Sequence, residues 1–128
     1  MEFPVTTIYA AFLGLLLVYL SDQVSRHRKR LGVSLGDGAQ EALQRAVRAQ
    51  GNFVEYTPFG LLLLLLLETE VTDLWLLHLL GVMLLLGRVL HAYGMARPDA
   101  ALNGRYWGTA LTWLMIVGTS LANLWHLI

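Results

Sequence analysis

A polar stripe between residues 45 and 55 is the part of the sequence best suited to chemistry. Arg45, Arg48, Asn52 and Glu55 fall within about 80° of one another at about 100° per helical residue, so they share one face. The stripe runs into seven consecutive leucines, Leu61–Leu67, which are typical of a membrane-embedded segment. Because charges are costly in lipid, the stripe must face protein, water or a polar ligand.

Two further basic positions lie where they can join this stripe. Arg88 and His91 are three residues apart and share a helical face, and Arg105 opens the last predicted helix. Guanidinium groups and a helix N-terminus bind carboxylates, while Glu55 can take an ammonium group. The pattern therefore favours a small zwitterion with several carboxylates as the ligand. In the alternative interpretation, Arg48 or Arg88 pairs with Glu55 and only locks the helices together.

The composition indicates an all-α integral membrane protein. Of the 128 residues, 56% are hydrophobic and only 14% are charged, against about a quarter charged in soluble domains. The chain has no cysteine, which excludes a disulfide framework, a thiolate metal site and a cysteine nucleophile. The four histidines have no metal-ligand spacing, so no metal is expected, and the opening MEFPV is unlike a cleavable signal.

Apolar runs and breaker residues predict four transmembrane helices in one domain, residues 1–128. The helices are expected at about 5–24, 38–68, 74–93 and 104–125, packed as an antiparallel bundle. Asp37 and Gln40 are predicted to form a capping box for the second helix, and Asn103 to cap the fourth. Pro58 is expected to kink the second helix or to free a carbonyl.

Charge asymmetry predicts the orientation in the membrane. All nine lysines and arginines lie in or beside the first and third loops, and the second loop has three acidic residues and no basic one. The positive-inside rule therefore places loops one and three in the cytoplasm and both termini outside. The cluster Arg26–Arg30 is interpreted as such an anchor and not as a nucleic-acid site, although it can also help to hold an anionic ligand.

Two strings in the chain resemble one known family. Residues 48–58, RAQGNFVEYTP, resemble the second-helix signature of the MAPEG family, the membrane-associated proteins of eicosanoid and glutathione metabolism. Residues 87–91, GRVLH, followed by Gly94 and Ala96-Arg97, resemble the end of its third helix. Helix count, order and length agree over nearly the whole chain. The chain resembles a bacterial-type member of the family, similar to the microsomal glutathione transferases.

The resemblance implies a homotrimer in a bacterial inner membrane, with glutathione bound between subunits on the cytoplasmic side. It implies that glutathione contacts or supports come from the second helix and its neighbours, at Arg48, Gln50, Asn52, Glu55, Tyr56, Arg88 and Tyr106. Arg28 or Arg30 is expected to reach a carboxylate from the adjacent subunit. Met95 stands where a tyrosine is common, and Tyr93 or Tyr106 can substitute for it.

The resemblance also implies a reaction. Arg105 is expected to stabilise the glutathione thiolate, with His91 and Tyr93 as candidate proton donors. The thiolate would attack a lipophilic electrophile arriving from the membrane lipids, so we expect a transferase or peroxidase. The alternatives are a non-catalytic lipid- or glutathione-binding protein and a structural membrane subunit. His78 and His126 lie at the opposite membrane side and receive no chemical role.

Overall fold

Four α-helices and three short loops make up the computed structural model, which describes residues 2–128. The helices are α1 (Pro4–Leu31), α2 (Glu41–Glu70), α3 (Leu74–Ala96) and α4 (Gly104–Trp125). No strand occurs between residues 2 and 128. The predicted all-helical class and the number of helices are confirmed.

Helices α2 and α3 form the centre of the bundle. Each contacts the other and both outer helices, while α1 and α4 do not contact one another over the described chain. Successive helices run in opposite directions, since the start of α1 bonds to Glu68 at the end of α2. All nine lysines and arginines therefore gather at one end, here called the basic end. The opposite end, with Glu68, Glu70 and Asp73, is called the acidic end.

Helix α1 extends beyond its predicted end at residue 24 and stops at Leu31. The basic cluster thus belongs to the last turns of a helix and not to a loop. Cations are favourable at this position because they complement the negative end of the helix dipole. Gly32 ends the helix in a left-handed conformation, with φ of 68°, which glycine adopts without a steric cost.

The predicted capping box before α2 is wrong. The helix begins at Glu41 and not at residue 38, and the Gln40 side chain makes no cap bond. The Asp37 carboxylate instead accepts hydrogen bonds from the Ala39 N–H (2.8 Å) and the Gln44 side chain (2.9 Å). These bonds stabilise the charged form and lower the pKa of Asp37. Asp37 therefore folds the loop back onto α2.

The remaining helices follow the sequence closely. Helix α3 ends at Ala96, three residues later than predicted, and α4 has its predicted bounds. Asn103 caps α4 as predicted, since its side-chain oxygen accepts a bond from the Tyr106 N–H (3.2 Å). By length and composition, α1 and α3 are each able to cross a membrane.

Leucines fill the space between the helices. Leu13, Leu64 and Leu84 are almost completely buried where α1, α2 and α3 meet. Large apolar side chains also cover the outside, including Phe12, Leu15 and Val18 on α1 and Leu114, Val117 and Leu121 on α4. An outer surface of this kind is costly in water and suits a hydrocarbon solvent.

Candidate functional site

Glycines bring α3 and α4 into backbone contact at the basic end. A Cβ atom on Gly94 would collide with the Arg105 backbone, and one on Gly108 would collide with the His91 backbone. Only residues without side chains allow helices to approach this closely. The contact holds His91 of α3 beside the first turn of α4, where Arg105 lies.

Beneath this contact lies a buried arginine. Arg88 is 1% exposed, and its guanidinium donates to the hydroxyl oxygen of Thr112 (2.8 and 3.0 Å) and to the side-chain oxygen of Asn52 (2.5 Å). Its carbon Cζ also lies 5.5 Å from the centre of the Tyr56 ring. No carboxylate pairs with Arg88 among residues 2–128. Arg88 thus joins three helices and adds an unbalanced positive charge behind Asn52.

Arg48 and Glu55 pair along α2, two turns apart. Their charged atoms are 3.4 Å apart, and both side chains are more than half exposed. Gly51 leaves the space for this, since a Cβ atom there would lie 3.2 Å from the Arg48 guanidinium. Of the two pairings predicted for Glu55, the single chain therefore contains the one with Arg48. Arg88 does not reach Glu55.

A polar groove of about 940 Å³ opens above these residues, between α2 and α4. Its floor is formed by His91, which is 5% exposed, and Met95. The walls come mainly from α2 (Arg45, Arg48, Asn52, Tyr56) and α4 (Arg105, Tyr106, Thr109, Trp113). Three guanidinium groups and one carboxylate, Glu41, line it, so the groove favours an anion with additional hydrogen-bonding groups.

A second, mostly apolar cavity of about 850 Å³ lies on the other side of Met95, between α1, α2 and α3. Tyr93 lines this cavity and not the polar groove. Met95, Arg45 and Glu41 line both, so they form the wall between them. Tyr93 is thereby separated from His91 and Arg105, the other two candidate catalytic residues.

The structure brings together six of the predicted site residues along the groove: Arg48, Asn52, Tyr56, His91, Arg105 and Tyr106. Glu55 lies beside the groove through its pair with Arg48, and Arg88 lies behind it.

Besides Tyr93, three predicted residues lie elsewhere within this chain. Gln50 donates to the Ser21 hydroxyl of α1 (2.9 Å), and Arg28 donates to the Gly36 carbonyl of the first loop (2.7 Å). Arg30 is exposed near the end of α1 and lines neither cavity. Gln50 thus joins α1 to α2, and Arg28 holds the first loop.

Sequence reasoning missed Thr112 as the hydrogen-bond partner of Arg88. The signal was present, because Gly104, Gly108 and Thr112 repeat every four residues and form one small-residue face of α4. That face packs on Gly87 and Gly94 of α3. The described residues contain no cluster of three or more acidic or histidine side chains suited to a metal ion.

Comparison with known proteins agrees with this architecture. Residues 6–125 match the MAPEG family. The chain is 37% identical over 123 residues to the inner membrane protein YecN of Escherichia coli K12, covering 96% of this chain and 92% of that protein. The YecN of Escherichia coli O6:H1 CFT073 gives the same values. The chain therefore belongs to the MAPEG family, a family of membrane proteins.

Proposed function

We propose that this protein is a glutathione-dependent transferase or peroxidase that acts on lipophilic electrophiles at the cytoplasmic face of the inner membrane. The observation that carries the proposal is the polar groove, where Arg48, Asn52, His91 and Arg105 meet from three helices. The location is supported by the name of the YecN relatives, and the orientation by the gathering of all basic residues at one end.

The groove has the chemical groups that glutathione requires. Glutathione carries two carboxylates, one ammonium group, two amides and a thiol. Arg48 and Arg105 are suited to the carboxylates and the thiolate. Glu55 is suited to the ammonium group, which would replace part of its contact with Arg48. Asn52 can bond an amide, because its own oxygen is already oriented by Arg88 (2.5 Å). The buried charge of Arg88 adds to the attraction for an anion.

Arg105 is placed to favour a thiolate. It lies in the first turn of α4, where unpaired N–H groups and the helix dipole also stabilise negative charge. A thiol has an ordinary pKa near 8.5, and a neighbouring guanidinium lowers it, so the reactive form is populated at neutral pH. Gly94 fixes the Arg105 backbone against α3, and Arg105 lines the same groove as His91.

Glutathione supplies the nucleophile: its sulfur bonds to an electrophilic carbon, and the proton lost from the thiol returns to the product or leaves with the displaced group. With a lipid hydroperoxide, the O–O bond breaks and two glutathiones yield disulfide, alcohol and water. The chain must hold the sulfur and move one proton. His91 is the groove-lining proton carrier, and Tyr106 is the tyrosine on the same groove.

The exposed pair of Arg48 and Glu55 supports assembly into an oligomer. The pair lies one turn before Pro58 and the leucine run, and it is followed on α2 by the exposed side chains of Phe59, Leu62 and Leu66. A charged pair at this depth needs cover from protein or water. We propose that subunits of four membrane-spanning helices assemble as a homotrimer, the copy number that the family resemblance implies. Arg28 or Arg30 of a neighbouring subunit could then approach the groove.

A second candidate function is glutathione or lipid binding without catalysis. Met95 favours it, because this apolar side chain occupies the groove floor next to His91 and can neither donate nor accept a proton. The two functions differ in one measurable property: a binder takes up glutathione but does not form the thiolate in a productive position.

The test uses purified protein in detergent. Calorimetry measures glutathione binding, and ultraviolet absorbance measures the bound thiolate. We expect Arg105→Ala to lower conjugation of a small aryl halide by about 100-fold to 1,000-fold, as for loss of an oxyanion donor. Lys29→Ala is the control, since Lys29 is exposed at the same end and lines neither the groove nor the apolar cavity.

Each alternative has a distinct outcome. If wild-type protein binds no glutathione, the proposal is wrong. Binding without thiolate or conjugation would identify a non-catalytic binder. Full activity of Arg105→Ala would remove Arg105 from the mechanism.

A further inference from the structure

Resting on the proposed function, we infer that Thr112 is a positioning residue for the ligand of the polar groove. Its buried hydroxyl fixes the guanidinium of Arg88, and Arg88 in turn fixes the side-chain amide of Asn52. The amide NH₂ group is thereby presented to the groove, so this subsite takes an acceptor oxygen of the ligand, a carbonyl or a carboxylate, and not a donor. Thr112 itself does not line the groove.

The N–H donors of Arg88 all have acceptors. Nε donates to the Thr112 hydroxyl oxygen (3.0 Å), and Nη2 donates to the same oxygen (2.8 Å) and to the Gly108 carbonyl (3.5 Å). Nη1 donates to the side-chain oxygen of Asn52 (2.5 Å) and to its backbone carbonyl (3.5 Å). Because a guanidinium holds its five donors in one rigid plane, a rotation of that plane would break several of these bonds at once.

The Thr112 hydroxyl has no free hydrogen-bonding site either. Its oxygen accepts two bonds from Arg88, and its own proton goes to the Gly108 carbonyl one turn earlier on α4 (2.8 Å). A hydroxyl offers one donor and two acceptor sites, so all of them are used. Gly87 leaves the room for this arrangement, since a Cβ atom there would lie 2.6 Å from the hydroxyl oxygen. The hydroxyl is therefore locked as an acceptor towards Arg88.

Asn52 is the open end of this network. Its side-chain oxygen is occupied by Arg88, whereas its Nδ2 has no hydrogen-bond partner among residues 2–128 and Asn52 lines the groove. A reversed amide would place its NH₂ group against the guanidinium, donor against donor, so the oxygen stays on the Arg88 side. The group of glutathione beside Asn52 is therefore an amide carbonyl or a carboxylate.

Thr119 provides a comparison within the same helix. It lies two turns further along the same face of α4, is also fully buried, and donates to the carbonyl four residues earlier, that of Met115 (2.7 Å). The two threonines differ because the Thr112 hydroxyl accepts bonds from Arg88, whereas the Thr119 hydroxyl accepts none within the described chain. Substituting each in turn separates the loss of a buried hydroxyl from the loss of the contact with Arg88.

The first experiment is glutathione calorimetry on variants in detergent. Thr112→Val keeps the shape and removes the hydroxyl, and we expect the affinity to fall about tenfold, as for one hydrogen bond to a charged group. Thr119→Val should bind like wild type, and Thr112→Ser, which retains the hydroxyl, should restore the affinity. Equal affinities of Thr112→Val and Thr119→Val would overturn the inference.

A double-mutant cycle tests whether Thr112 acts through Asn52. Asn52→Ala alone should lower the affinity, and adding Thr112→Val should lower it further by no more than about twofold, because the group that Thr112 positions is already gone. Losses that multiply independently would show that Thr112 acts by another route and would contradict the inference.

Asn52→Asp tests the direction of the amide and does not depend on folding of a Thr112 variant. The carboxylate keeps the bond to Arg88 but presents a negative oxygen to the groove in place of the NH₂ group. We expect an affinity at least tenfold below that of Asn52→Ala. An affinity equal to or above that of Asn52→Ala would show that the ligand presents a donor at this position.

A measurement without ligand separates this inference from the proposed function. By NMR of isotope-labelled protein, the buried Nε–H of Arg88 should exchange slowly with solvent in wild type and Thr119→Val, and at least tenfold faster in Thr112→Val. This result, combined with no glutathione binding by wild type, would reject the proposed function and keep the network that orients Asn52. Fast exchange in wild type, or unchanged exchange in Thr112→Val, would reject the positioning role alone.

Discussion

At the acidic end of the bundle, Glu68, Tyr9 and Asp73 bond to other side chains or to the backbone, whereas at the basic end several polar side chains line an open groove. Glu68 accepts bonds from the Val5 and Thr6 N–H groups (2.8 Å each), and the Tyr9 hydroxyl contacts His78 Nδ1 (3.0 Å). Asp73 caps α3. By contrast, Arg105, Tyr106 and His91 line the groove without a side-chain hydrogen bond or ion pair in the described part of the chain.

This difference separates stability from function. Satisfied polar groups hold helices together in lipid, while unsatisfied ones are retained where a ligand completes them. Substitutions at the acidic end should therefore change unfolding more than glutathione binding. Substitutions at the basic end should change glutathione binding more than unfolding. Arg88 is an exception, because it both joins three helices and lies behind the groove.

Arg88 gives the largest expected effect. Arg88→Ala should lower the free energy of unfolding by about 3 kcal/mol, because it leaves a cavity and removes bonds to Asn52 and Thr112. Arg88→Met restores much of the volume, so unfolding should recover while glutathione affinity stays reduced. Detergent-unfolding titrations and calorimetry measure the two quantities. Wild-type affinity in Arg88→Met would show that the buried charge is irrelevant to the groove.

The glycine contact between α3 and α4 comes next. Gly108→Ala should cost about 1–3 kcal/mol, since its Cβ would meet the backbone of His91 and force the helices apart. The same shift should displace His91 from Arg105 and weaken glutathione binding. Gly14→Ala is the control, because nothing lies within 4 Å of a Cβ there and alanine favours helix. A neutral Gly108→Ala would mean that the helix contact is looser than described.

Glu68 tests the acidic end alone. Glu68→Gln removes the charge that bonds the first N–H groups of α1 and should cost about 1 kcal/mol. Glutathione binding should not change, because Glu68 lies at the far end of the bundle. Glu70→Gln, an exposed neighbour on α2, serves as the control. A loss of glutathione affinity in Glu68→Gln would contradict the separation between the two ends.

Glu55 should have the smallest effect on stability. Its exposed pair with Arg48 is worth less than about 1 kcal/mol, so Glu55→Gln should unfold almost like wild type. Glutathione affinity should fall about tenfold, because the ammonium group loses its acceptor. Calorimetry with glutathione and with an analogue lacking the amino group checks this. Equal losses for the two ligands would place Glu55 outside the site.

The amino-acid sequence by itself determined the four helices, because long apolar runs and breaker residues are local signals. It also placed the basic groups at one end, since charge order along the chain fixes which helix ends they occupy. The end of α1 and the start of α2 were predicted less well. The continuation of α1 to Leu31 and the hydrogen bonds of Asp37 depend on local interactions that compete with one another.

Only the tertiary structure decided which predicted residues share a space. Gln50 and Tyr93 lie on helix faces that point away from the polar groove, and Arg88 is buried behind Asn52. Helical periodicity gives the face that a residue occupies but not which neighbour covers it. That depends on how closely the helices approach, and here the approach is set by the glycines Gly94 and Gly108, whose missing side chains bring α3 and α4 together.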